Sequence, residues 1–134
     1  MKTRWIILLS AVMVGLLATA IHAQSSKQAT QAFMRMKLVY SQAILEGLTL
    51  ENYGLIMVNA KNLDDMTVSN VWSHLRYPAY VKGTREYQDR VNDLLKAARE
   101  VDLKKSTRAF TKVLQSCVDC HRQLRVEQGS GKVK

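Results

Sequence analysis

The sequence predicts an all-α protein, an antiparallel four-helix bundle, and three observations carry that expectation. Long stretches are rich in Leu, Ala, Lys, Glu, Gln and Met, residues that favour helix. The 134 residues include a single proline, Pro78, and no segment alternates apolar and polar residues for the length of a strand. Four helical segments of about 16 to 24 residues, joined by two short turns and one long central connection, then suit up-and-down packing. No internal repeat is evident in the sequence.

The first element to place is one to set aside. Lys2 and Arg4 precede an apolar run from Trp5 to Ile21, and Ile21-His22-Ala23 ends in a small residue suited to cleavage before Gln24. Residues 1–23 are therefore read as a secretory signal and residues 24–134 as one helical domain. A retained membrane anchor is the alternative, since the run approaches the roughly 20 residues of a spanning helix. No cysteine follows the run, which excludes a lipoprotein anchor. The chain carries 20 Lys+Arg against 11 Asp+Glu, and loss of Lys2 and Arg4 with the leader leaves the mature protein at +7. The charges are spread along the whole chain and export removes it from DNA. No nucleic-acid partner is expected, and an acidic protein partner is.

The helices follow in order. The first runs from about Gln28 to Glu46 and stops near Gly47. The second follows Thr49 as N-cap and runs from Leu50 to about Met66. A connection then holds Pro78 and the aromatics Trp72, Tyr77 and Tyr80. The third starts after Thr84 as cap and reaches about Arg99. The fourth starts after Asp102, whose carboxylate caps the free N–H groups and suits the positive end of the helix dipole, and runs to about Glu127. Along it Leu103, Phe110, Leu114, Cys117, His121 and Leu124 recur at three- and four-residue intervals. That spacing predicts one inward-facing stripe.

Cys117 and Cys120 are the protein's only cysteines, and His121 follows at once. A thioredoxin-like pair needs the start of a helix after a strand, and here the pair lies deep in a helix. A zinc site needs four ligands, and after cleavage only His74 remains as a further histidine or cysteine. A disulfide between i and i+3 closes a loop too short to constrain the unfolded chain much. The reading that uses all three residues is the C-x-x-C-H attachment of a single c-type haem: thioethers from Cys117 and Cys120, and His121 as proximal iron ligand. Thioethers also leave no free thiol to oxidise in an exported protein.

A C-x-x-C-H in the last helix of an exported bundle of this size resembles the cytochrome c′ family, the class II c-type cytochromes. The resemblance spans the mature chain in architecture, and in residues it is specific around 117–125. It implies a basic residue four positions after the proximal histidine, which Arg125 supplies. It also implies an aromatic just before that residue, where this chain has Leu124. The first helix is expected to cover the other haem face. Aligned on Phe33, Leu38 falls at the family's apolar distal position, and Met36, ahead of Met34, is the candidate sixth iron ligand, with core filling as the plainer role of these methionines.

Lys37 is the odd residue of that helix, lying within its apolar arc. It either extends past its stem to solvent or pairs with a haem propionate. Arg76 and Lys82 are rivals for the propionates, and His74 is a remoter candidate for an axial ligand. The sequence reading is an exported, periplasmic monohaem cytochrome that transfers single electrons and has no catalytic acid–base pair. The alternative is a five-coordinate haem protein that binds nitric oxide or carbon monoxide. Homodimerisation is common in the resembling family.

Overall fold

The computed structural model describes residues 28–67 and 78–129. Among them lie four helices and no strand: α1 over residues 28–49, α2 over Tyr53–Thr67, α3 over Pro78–Arg99 and α4 over Leu103–Gly129. The chain separates into two compact units, Met1–Arg35 and Met36–Lys134. The packing described below is that of the second. The leader, Trp72, His74, Arg76, Tyr77 and the last five residues lie outside the described residues.

Two hairpins make up this unit, and their turns are built alike. At the end of α1 the Asn52 N–H donates to the Gly47 carbonyl at 2.8 Å and the Glu51 N–H to that of Leu48 at 3.4 Å. At the end of α3 the Asp102 N–H donates to the Ala97 carbonyl at 3.4 Å and the Val101 N–H to that of Ala98 at 3.1 Å. Each is a Schellman closure, and it forces its pivot residue into the left-handed region: Glu51 at φ 52° and Val101 at φ 54°. The residue after each pivot caps the next helix. The Leu55 N–H donates to Asn52 Oδ1 at 3.0 Å, and the Lys105 N–H to Asp102 Oδ1 at 2.8 Å.

Three expected boundaries therefore move. Helix α1 continues past Gly47 to residue 49. A Cβ on Gly47 would stand 2.8 Å from Ile56 Cγ1, so this glycine serves the close approach of α2 and does not stop the helix. Thr49 does not cap α2. Its hydroxyl donates back to the Glu46 carbonyl at 2.8 Å, and Asn52 does the capping. Thr84 does not cap α3 either, because α3 already begins at Pro78, where a proline's missing N–H and fixed φ suit a first helical turn. The Asp102 cap and the course of α4 are as the sequence predicts.

Like turns carry like cores. Position by position, each buried residue of the first hairpin has its counterpart 50 places later. Ser41, Ile44 and Leu48 answer to Val91, Leu94 and Ala98, while Ile56, Asn59, Ala60 and Leu63 answer to Ser106, Ala109, Phe110 and Val113. All fourteen are buried, so the repeat missed in the sequence is present as a packing pattern. Its residues trade size across the two halves, Ala60 for Phe110 and Ile56 for Ser106, which keeps interior density without keeping identity. Two of the three buried polar members are held by their own helices, Ser41 Oγ donating to the Lys37 carbonyl at 2.9 Å and Asn59 Nδ2 to that of Leu55 at 2.8 Å, whereas the Ser106 hydroxyl has no hydrogen-bond partner among the described residues.

Candidate haem-attachment site

The site lies beyond this core, toward the ends of the helices away from the turns. On α4, Cys117 and Cys120 are one turn apart and half-buried, with no disulfide between them. Cys117 packs against the core cluster, and burial raises its thiol pKa while the nearby Lys37 ammonium works against that rise. Cys120 stands beside Gly83 of α3, whose missing Cβ would lie 3.5 Å from Cys120 Sγ.

His121 departs from expectation. It is exposed, as is Leu114, at 44 % of its surface. The inward stripe of α4 instead runs through Ser106, Ala109, Phe110 and Val113 to Cys117. The periodic set took in two flank residues, Leu114 and His121, because a helical stripe grades into a flank at each edge. That flank is apolar beside the imidazole: Leu114 lies two turns before His121, and Val118, 58 % exposed, lies three residues before it. Arg125 is exposed one turn further along, and Leu124 is half-buried.

On α1 the sequence singled out Met36, Lys37 and Leu38. Met36 is 44 % exposed and Leu38 is 55 % exposed, on opposite flanks of the stripe formed by Ser41, Ile44 and Leu48. Lys37 occupies the stripe itself and is half-buried. Its Nζ sits 4.0 Å from the centre of the Tyr87 ring on α3, a cation–π contact. Burial pushes the Lys37 pKa down, and the two cysteine thiols, close enough to act on it, push it up. Phe33 and Met34 belong to the other unit.

Tyr87 is the residue that sequence reasoning missed. It is 5 % exposed, and its hydroxyl finds no hydrogen-bond partner among the described residues. Burial and the Cys117 thiol both push its pKa far up, so the phenol keeps its proton. The signal was present in the repeat, since Tyr87 stands 50 places after Lys37, but nothing local to either residue pairs them. Lys82 pairs with Glu86 at 3.8 Å on the surface of α3.

These residues suit a covalent macrocycle better than a bare metal ion. Among the described residues no three His, Cys, Asp or Glu side chains gather as metal ligands. The groove between α3 and α4 at Cys120 offers about 110 Å³ and is lined by Arg90, Lys112 and Asp119 among others, too small and too charged for a large apolar ring. The exposed apolar flank at Leu114 and Val118 beside His121 suits one. Two unbridged thiols at i and i+3, followed at once by an exposed imidazole, match the donors of a haem c.

No protein-family model matches the sequence, and no curated protein matches it significantly. Solved structures do match. A cytochrome c′ aligns over 75 % of this chain and 94 % of its own, at 19 % identity and a TM-score of 0.64. A ferrous leucine-to-valine variant of cytochrome c prime from Alcaligenes xylosoxidans aligns over 72 % and 93 %, at 17 % identity and a TM-score of 0.56. The nitric oxide complex of a leucine-to-alanine variant of that protein aligns over 72 % and 92 %, at 18 % identity and 0.55. The fold is thus that of the cytochrome c′ four-helix bundles.

Proposed function

We propose that the protein is an exported monohaem c-type cytochrome that transfers single electrons. The observation that carries this reading is the placement of Cys117-Val118-Asp119-Cys120-His121 on the last helix of a bundle with the cytochrome c′ fold. Cys117 and Cys120 would hold the ring through thioethers, each S–H added across one vinyl group, sulfur to one carbon and hydrogen to the other, which would need no oxidant. The attached haem supplies an Fe(III)/Fe(II) couple. The chain's own residues do the rest. Cys117 and Cys120 fix the ring to α4, His121 offers its imidazole from the exposed flank, and Arg125 sets a positive charge one turn away.

The basic mature chain favours an acidic redox partner through a contact that weakens with salt. Gas binding is the second reading, and it has support of its own, because matched structures include nitric oxide complexes. Absorption spectra of the exported holoprotein separate the two. A ferrous spectrum that carbon monoxide leaves unchanged supports a closed sixth position and electron transfer. A high-spin spectrum that sharpens with the gas puts gas binding first. Absence of covalent haem, in a host able to attach it, overturns both.

A further inference from the structure

Helix α4 carries its charge unevenly. From Leu103 to Val118 it holds Lys104, Lys105, Arg108 and Lys112 and no carboxylate. Like charges at i and i+4 weaken a helix, so the series Lys104, Arg108, Lys112 does not serve α4 itself. Nor does the packing frame ask for it. Fifty places earlier, the first hairpin builds the equivalent positions with Gly54, Leu55, Val58 and Asn62, none of them charged.

Three of these cations line an open groove between α3 and α4. Its larger part, about 310 Å³, has Lys96, Lys105, Arg108 and Lys112 on its walls against Asp93 and Glu100. Glu100 is already paired with Lys105 at 2.9 Å and feels the Lys96 charge, which leaves Asp93 as the opposing carboxylate on these walls. Arg108 and Lys112 are exposed and form no ion pair among the described residues. Lys112 also lines the smaller part, which reaches Cys120 with Arg90 on its α3 side. The two carboxylates there are engaged, Glu86 by Lys82 at 3.8 Å and Asp119 by the Gln115 amide at 3.1 Å.

We propose that this groove is the docking surface for an acidic protein partner, with Arg108 and Lys112 as its central contacts. The inference rests on the electron-transfer reading above and names where its acidic partner binds. Charge complementarity selects the occupant. Carboxylates on a partner's surface meet cations that the chain itself leaves largely unopposed, steer the encounter and fix its register. A partner seated along the groove lies against Cys120, one of the two residues that would carry the haem.

The test uses the exported protein from a host able to attach haem, with a synthetic glutamate-rich peptide as the acidic probe. Calorimetry at low and high salt reads affinity, and carbodiimide coupling of peptide carboxylates to lysines maps the contact. Coupling is expected at Lys96 and Lys112 and not at Lys61 or Lys82. The double variant Arg108→Gln/Lys112→Gln should lose about fivefold or more in affinity at low salt, the scale of two exposed charge pairs, and much of the salt dependence. Lys61→Gln/Arg99→Gln removes the same charge outside the groove and should change little. Equal losses in the two double variants show that net charge alone binds, and overturn the proposal. So does coupling centred elsewhere on wild type, a result that needs no variant to fold. Binding of phosphatidylglycerol vesicles through Arg108 and Lys112, with the peptide ignored, overturns it in favour of an anionic membrane surface. A spectrum without covalent haem, or one that responds to carbon monoxide, refutes the electron-transfer reading instead, because neither coupling nor calorimetry depends on the iron.

Discussion

The first hairpin leaves α1 through Glu51 and enters α2 at Asn52, and the second leaves α3 through Val101 and enters α4 at Asp102, with matching hydrogen bonds at each step. Around these turns the halves are near copies in burial. Away from them they diverge. The first hairpin contributes Lys37 to the site, whereas the second contributes Tyr87, Gly83, both cysteines and His121. A shared turn and core layer set the frame, and the sequence is free to specialise where the helices run past that frame.

The sharpest difference within the frame is the pair facing across each turn. Gly47 lies against Ile56, and at the equivalent place the second hairpin has Ala97 and Ser106, a larger residue matched to a smaller one. Gly47→Ala should therefore destabilise by about 1–3 kcal/mol through overpacking, read as a lowered urea midpoint. It does so although alanine is the better helix former. Gly83→Ala, whose Cβ would meet Cys120 Sγ at an ordinary 3.5 Å, should not. Equal effects at the two glycines would sink the size-trading account.

The same pairs show what the sequence could say. Asp102 and the course of α4 were legible because a cap, a dipole and a hydrophobic period all agree locally. Gly47 was misread because a glycine at a helix end and a glycine under a neighbouring helix look the same until Ile56 is placed above it. Thr84 looked like a cap because Pro78 was taken for loop. The cysteines and His121 were legible as an adjacent chemical unit, and Lys37 as a charge out of place. Its partner was not, because Tyr87 is brought to it only by the packing of α1 on α3. The 50-residue correspondence was hidden for the same reason, since burial is shared across it and neither size nor letters are.

The pivots give a smaller effect. Both carry side chains in the left-handed region, but Val101 is β-branched and Glu51 is not. Val101→Gly should stabilise by about 1 kcal/mol through relief of that strain, since a side chain 64 % exposed buries little to lose. Glu51→Gly should gain less. Equal gains at the two pivots, measured by thermal unfolding, would mean that φ alone and not branching sets the strain.

The smallest difference is the caps' response to acid. Asn52 does not titrate. Hydrogen bonding from the Lys105 backbone holds the Asp102 carboxyl below the usual carboxylate range, reinforced by the Lys105 ammonium 3.5 Å away. A carboxyl with a depressed folded pKa stabilises fully above its unfolded pKa, about 3.9, and loses that contribution as pH falls through the folded value. The second turn should thus weaken below about pH 4 while the first keeps its cap. Asp102→Asn retains an oxygen to accept the Lys105 N–H and removes the titration. Its stability deficit against wild type, from urea midpoints, should be constant near neutral pH and shrink as acid protonates the native carboxyl. A deficit that persists unchanged through that range would show that the two caps differ in geometry and not in charge.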